Sequence, residues 1–336
     1  MKSFPALLLF SGLVLFGQQR PLPEISYAGT PDFLKLPAGT NLGEVAGVAV
    51  NSKGHIFAFS RGGHEQILEF EANGAFVREI GKDLYAFTGP STFGAHSVRI
   101  DRDDNIWAVD SVSNMVIKFN AEGRVTMVLG RKPEPAAPQV RLPGTPPPAL
   151  PPAETGVFNG PTDVAFDTAG NIFISDGYRN SRIVKVDKGG KWTKTWGKRG
   201  EGPGEFNAPH SIAVDATGLV YVADRGNRRI QVFDADGNFL KQWPVDAGAI
   251  CITPGPSQFL YTTDLWDRDK PEERTTSVRV YKMDLTGKVL GVFGRAGKQT
   301  GEIGWTHEMT CPSENTIFLA ELLNWRVQKL TVHPQR

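Results

Sequence analysis

The chain is short of cysteine, of net charge and of apolar runs, and each shortage narrows what it can be. Its two cysteines, Cys251 and Cys311, stand 60 residues apart and do not make a disulfide framework. Whether they pair is open. Both fall on innermost strands of the repeat described below, where a buried free thiol is as natural as a bridge. A formal net charge of +1 gives no electrostatic footprint for nucleic acid, and the cluster Arg225, Arg228 and Arg229 is too small to reverse that. The apolar run from Phe4 to Phe16, broken at Ser11 and Gly12 and preceded by Lys2, is too short to span a bilayer. It suits the core of an export signal, so residues 1–19 are expected to be a signal peptide with a blurred cleavage site. The mature protein is then expected to be secreted or periplasmic, without stable membrane insertion.

Glycine (37) and proline (24) are plentiful, which suits a fold made of many tight turns. The sequence also repeats itself. Units beginning His96-Ser-Val-Arg-Ile-Asp101, Thr162-Asp-Val-Ala-Phe-Asp167 and His210-Ser-Ile-Ala-Val-Asp215 each give an alternating strand and a turn. A second strand ending in aspartate follows, as in Ile106–Asp110, Ile172–Asp176 and Val220–Asp224, and then a third and a fourth. Weaker copies start near Ala46, Ala249 and His307. Period-2 alternation bounded by turn residues, at a spacing of 40 to 50 residues, predicts an all-β, six-bladed β-propeller over residues 24–332. The last copy lacks a fourth strand, and Phe33 to Leu36 is expected to supply it, closing the ring by joining the N-terminal strand to the final blade. The recurring Asp110, Asp176, Asp224 and Asp264 argue for a role in turns. Two insertions break the register: a proline-rich loop at 131–155, and a charged loop from Asp267 to Thr276.

Of six histidines, His96, His210 and His307 share one register, the start of the innermost strand in alternate copies. The copies between them carry Ala46, Thr162 and approximately Ala249 there. Innermost strands line a propeller's channel, so three imidazoles converge from directions about 120° apart. Three protein nitrogens plus an open position is the arrangement of a catalytic zinc, and zinc is preferred to copper or iron for redox-free chemistry. Arg61 and Arg225 follow the second strand at one shared register, and Tyr178 lies one residue further along its own copy. A guanidinium suits a carboxylate bidentately, and a phenol beside cations can act as acid or base. Ion-pairing with the recurring aspartates is the plainer reading of the two arginines.

Several segments are more specific than the general repeat: Val45-Ala-Gly-Val-Ala49, Phe59-Ser-Arg-Gly-Gly-His64, His96-Ser-Val98, Gly160-Pro-Thr-Asp-Val-Ala165, Ser175-Asp-Gly-Tyr-Arg-Asn-Ser-Arg-Ile183, Pro209-His-Ser-Ile-Ala213, Ala223-Asp-Arg225 and Thr306-His-Glu308. Together they resemble the peptidyl-α-hydroxyglycine α-amidating lyases (peptidylamidoglycolate lyases), which are six-bladed propellers of the NHL-repeat type. The resemblance implies zinc on His96, His210 and His307, catalytic roles for Arg61 and Tyr178, and Arg225 lining the substrate pocket. It also implies a structural calcium held by the carbonyls of Val45 and Val98 and the carboxylate of Glu308, hard oxygen donors suited to that ion. The reaction implied splits a peptide or small molecule ending in α-hydroxyglycine into an amide and glyoxylate, performed by a monomer. The sequence departs from the family around Trp305-Thr306-His307-Glu308, where the family has methionine-proline before the histidine and aspartate after it. Arg179 stands where animal members carry a cysteine. Two other functions are weighed against this one: a non-catalytic NHL propeller that binds protein or glycan, and a calcium-dependent propeller hydrolase or lactonase. The first does not require the three histidines together. The second is typically built from axial carboxylates and asparagines, which this register largely lacks.

Overall fold

In the computed structural model, which describes residues 21–62, 65–85, 94–131, 155–264 and 278–333, the repeat copies become six four-stranded antiparallel sheets. After a short strand β1 (Tyr27–Gly29), blade one runs β2 (Glu44–Val50), β3 (Ile56–Arg61), β4 (Gln66–Phe70) and β5 (Phe76–Ile80). Blade two is β6 (Ala95–Ile100), β7 (Ile106–Asp110), β8 (Met115–Phe119) and β9 (Val125–Gly130); blade three is β10 (Asp163–Phe166), β11 (Ile172–Asp176), β12 (Arg182–Val186) and β13 (Trp192–Trp196). Blade four is β14 (Pro209–Val214), β15 (Val220–Asp224), β16 (Arg229–Phe233) and β17 (Phe239–Trp243), and blade five is β18 (Ile250–Ile252), β19 (Phe259–Thr263), β20 (Val280–Asp284) and β21 (Val289–Phe293). Blade six is β22 (Thr306–Ser313), β23 (Thr316–Glu321), β24 (Arg326–Val332) and, outermost, β1.

The alternation of side chains explains why the blades stack. On β3, Phe57 and Phe59 face blade two and pack with Ile106, Ile117 and Phe119, whereas Ile56 and Ala58 face the other way, against Phe318 and Val327 of blade six. The same division recurs around the ring, giving six apolar layers, one between each pair of neighbours. The axis is thereby left to polar residues. The recurring aspartates act as turn braces, as expected: Asp176 accepts the Asn159 N–H and pairs with Asn180 and Arg182, and Asp224 accepts the Asn207 N–H and pairs with Asn227 and Arg229. In blade six Glu321 does the same for Gly304, Asn324 and Arg326.

The ring closes as expected, by an N-terminal strand on the final blade, but with a different segment. Tyr27, Ala28 and Gly29 pair with Val332, Thr331 and Leu330. Phe33 to Leu36 instead fills the gap between blades six and one: its apolar side chains pack on the layer those blades share, Phe33 against Phe318 at 5.7 Å, and the Lys35 N–H bonds Gly74 O. Three apolar side chains are worth more in that gap than on an outer strand, which faces solvent. Cys251 of β18 and Cys311 of β22 are disulfide-bonded across adjacent inner strands, with Cα atoms 6.0 Å apart. The expected signal peptide, His64, the charged loop at 267–276 and all but the ends of the loop at 131–155 lie outside the described residues.

Candidate metal centre

Each candidate ligand sits at a β-bulge. In β6 the pairing steps from Ala95 to Ser97, in β14 from Pro209 to Ser211 and in β22 from Thr306 to Glu308, so His96, His210 and His307 are the extra residues. A bulge re-aims one side chain out of the sheet's alternation, here toward the axis. Blade one has the same bulge at Ala46, whose small side chain leaves room.

The blades between supply the second layer of the site. His96 Nδ1 lies 2.6 Å from Thr162 O of blade three, His210 Nδ1 2.9 Å from Gly248 O at the start of blade five, and His307 Nδ1 2.6 Å from Ala46 O of blade one. A carbonyl only accepts, so every Nδ1 carries the proton and every Nε2 presents its lone pair to the axis. The ligand atoms of the three rings all lie within 4.8 Å of one another, and the rings meet edge-on with centroids 4.6–4.9 Å apart. Among the described residues His210 Nε2 is buried without a hydrogen-bond partner. Burial, with the positive charge of Arg61 and Arg225, pulls His96 down to about 3, and burial lowers His210 and His307 as well. Three neutral imidazoles of fixed tautomer, one of them orphaned, fit a divalent transition metal.

Tyr178 joins this group directly, its hydroxyl 2.8 Å from His96 Nε2. It stands on the turn after β11, where Gly177 has no alternative: a Cβ there would lie 1.8 Å from Pro209 O. The Arg225 guanidinium, on the 3-10 turn Arg225–Asn227, lies over the Tyr178 ring at 5.6 Å. Arg61 is buried and its Nε donates to Glu44 Oε2 at 3.0 Å; burial lowers its pKa, while Tyr178 and Glu44 favour its charge. The structure therefore brings His96, His210, His307 and Tyr178 together, with Arg61 and Arg225 beside them. Neither arginine takes the recurring aspartates as its partner in the contacts described.

One residue further along the inner strands lies a polar ring that the sequence reading did not single out. Asp163 accepts from Ser97 Oγ and Ser211 Oγ, each at 2.8 Å, and from Arg99 Nε at 2.9 Å and Arg99 Nη2 at 2.6 Å. Burial opposes the Asp163 charge, but Arg99 and the serines outweigh it and hold its carboxyl below the usual range. Glu308, the expected calcium ligand, is also here: Oε1 is 2.9 Å from Arg99 Nη1 and Oε2 faces the Val98 N–H at 3.3 Å. Burial pushes its carboxyl well above the usual range, Arg99 pulling back and Asp163 adding to the rise. Oε1 has no aligned hydrogen bond among the described residues, but the Arg99 guanidinium beside it already supplies the positive charge that a calcium ion would bring, and Oε2 faces a backbone N–H, so this donor set does not fit a calcium ion. The signal that could have found the ring was in the register, since Ser97, Asp163, Ser211 and Glu308 all follow the aligned histidine position.

A family profile described as a 6-bladed beta-propeller matches residues 158–319. Peptidyl-glycine alpha-amidating monooxygenase A of Xenopus laevis is 34% identical over 316 residues, which is 84% of this chain and 31% of that protein. A probable peptidyl-alpha-hydroxyglycine alpha-amidating lyase of Caenorhabditis elegans is 33% identical over 213 residues, 58% of this chain and 56% of the relative. NHL repeat-containing protein 3 of Homo sapiens is 32% identical over 227 residues, 65% of this chain and 58% of the relative. The chain thus spans about a third of the monooxygenase relative and somewhat over half of the other two. It is a six-bladed β-propeller whose homologues include peptidyl-α-hydroxyglycine α-amidating lyases and NHL-repeat proteins.

Proposed function

We propose that the protein is a zinc-dependent lyase that splits peptidyl-α-hydroxyglycine, or a related N-acyl-α-hydroxyglycine, into an amide and glyoxylate. The observation that carries this is the joining of Tyr178 to the histidine cluster. A phenol 2.8 Å from the Nε2 of a metal-ligand candidate, beneath one guanidinium and beside another, is more than a metal site needs. It is a base placed next to where a metal-bound group would sit. The NHL binding scaffold has no use for that arrangement.

A zinc ion on the three Nε2 atoms would supply Lewis acidity toward an oxygen of the substrate. The chain's own groups do the rest. Arg225, whose guanidinium is held over the phenol, binds the substrate's terminal carboxylate through its two-pronged donor face. That places the α-hydroxyl near the Tyr178 oxygen, which takes its proton as general base. The electron pair of that O–H bond forms the aldehyde C=O of glyoxylate, and the C–N bond breaks. The proton returns from Tyr178 to the departing amide nitrogen, so no water is consumed and the atoms balance. Arg61, anchored by Glu44, sets a positive charge beside the reacting groups, opposite the negative charge that passes through them during these transfers.

Metal analysis of the purified protein and a glyoxylate-release assay on an N-acyl-α-hydroxyglycine test the reading. One equivalent of zinc with glyoxylate release is expected, and His210→Ala should abolish both. Zinc content unaltered in that variant would remove the metal site. Zinc without glyoxylate would reject the substrate.

A further inference from the structure

We infer that Arg99 takes the place of a structural calcium ion in this propeller, so that the channel is held together by a built-in cation. The inference does not depend on the zinc reading, because it concerns the ring beside the histidines.

Arg99 starts on the inner strand of blade two and crosses the channel. Its Nε and Nη2 clasp Asp163 of blade three, Nη2 is 3.4 Å from Ser211 Oγ of blade four, and Nη1 donates to Met309 O of blade six at 2.9 Å. The same Nη1 lies 2.9 Å from Glu308 Oε1. One of its hydrogens goes to the Met309 carbonyl and neither is aligned on Glu308 Oε1, so the Glu308 contact is Coulombic and not a hydrogen bond. One side chain thereby ties four of the six blades. That is the work a central ion does when it gathers oxygens from several inner strands.

Calcium takes six to eight oxygens at about 2.3–2.6 Å. Here the carboxylate expected to anchor it faces a guanidinium on one oxygen and a backbone N–H on the other. A dication bound to Glu308 would also sit beside the fixed charge of Arg99, with Asp163 already clasped. Glu308 itself is confined: a Cβ on Gly47 would lie 2.6 Å from its Oε2, so it has little room to swing toward another ion.

Two measurements test this on the full chain, loaded with zinc and desalted into calcium-free buffer. Metal analysis of the wild type should find no stoichiometric calcium, and adding millimolar calcium should move the melting temperature by less than about 1 °C. One equivalent of calcium, or a rise of several degrees, would overturn the inference. The variant Arg99→Ser removes the guanidinium and leaves Asp163 and Glu308 uncompensated. It should melt lower than wild type without calcium and recover on adding millimolar calcium, with calcium binding now measurable by titration. A variant that is destabilised but neither binds calcium nor recovers with it would make Arg99 an ordinary ion pair, and would sink the idea of replacement. Zinc content is followed in every sample, so loss of the zinc site is distinguishable from either outcome.

Discussion

Tyr178 is fixed by its backbone as much as by its ring. Its N–H bonds Gly160 O at 3.1 Å, its hydroxyl meets His96, and Gly177 before it presses on the carbonyl of Pro209, the residue before His210. Removing only the hydroxyl, in Tyr178→Phe, should lower kcat by about 10²–10⁴-fold, the range for losing a general base, with zinc content unchanged. Loss of zinc along with activity would mean that the hydroxyl serves the metal site and not the proton transfer. Gly177→Ala acts differently. Its new methyl must push the Pro209 carbonyl away, which should cost about 1–3 kcal/mol and weaken zinc retention with it. Thermal melts and zinc analysis of that variant check the coupling; a lower melting temperature with zinc held normally would separate Tyr178 from His210. At this scale the sequence was informative where a register could be compared between copies, as for the three histidines. Arg99 was not legible. Between Val98 and Ile100 it reads as an ordinary outward polar position, and only closure of the ring turns that face to the channel.

At the scale of the element, the decisive device is the bulge. Strand alternation alone would send a residue at the histidine position into an interblade layer or pair it across the blade; an extra residue frees it from both. Four inner strands share this bulge, and three carry a histidine at it. The strand periodicity located these strands but could not show the bulge, because one added residue at a strand's start leaves the later alternation intact. The closing strand was misread for a related reason. Tyr27–Gly29 is three residues long with one large side chain, Tyr27 against Phe293, too short to show an alternation, while the apolar Phe33–Leu36 serves a gap between blades. The disulfide between β18 and β22 adds a covalent tie across blades five and six. By the chain-entropy argument, a bridge spanning 60 residues stabilises by about 4 kcal/mol. Cys251→Ser should therefore lower the melting temperature by several degrees while leaving zinc content unchanged. Equal melting of variant and parent would mean that the bridge adds nothing to an interface already buried.

Across the whole molecule the six-fold ring is used as two interleaved three-fold sets: even blades give imidazoles, and odd blades give the carbonyls that orient them. This makes the histidine cluster sensitive to the packing of every blade, and it gives the metal-free protein a definite response to acid. Burial, with Arg61 and Arg225, holds His96 at about 3, and His210 and His307 are lowered too, whereas a histidine in the unfolded chain titrates near 6.5. Above about pH 6.5 both states are neutral and the difference contributes nothing to the slope. Below it the unfolded chain takes up protons that the folded site refuses, so stability falls with pH by up to about 1.4 kcal/mol per unit for each histidine. Buried carboxylates act in the opposite sense. Burial raises Asp264 to about 7, so it gains its proton first in the folded state and stability rises as pH falls through that window. A control therefore has to keep the carboxylates and remove only the imidazoles. Replacing His96, His210 and His307 with asparagine does so, and an amide N–H can still reach the neighbouring carbonyls. Urea denaturation of both metal-free proteins at pH 7 and pH 5 should show a larger loss of stability for wild type than for the variant. Equal losses would mean that the three histidines are not held neutral by the fold, and with that the picture of a preformed, proton-resistant metal centre would fail.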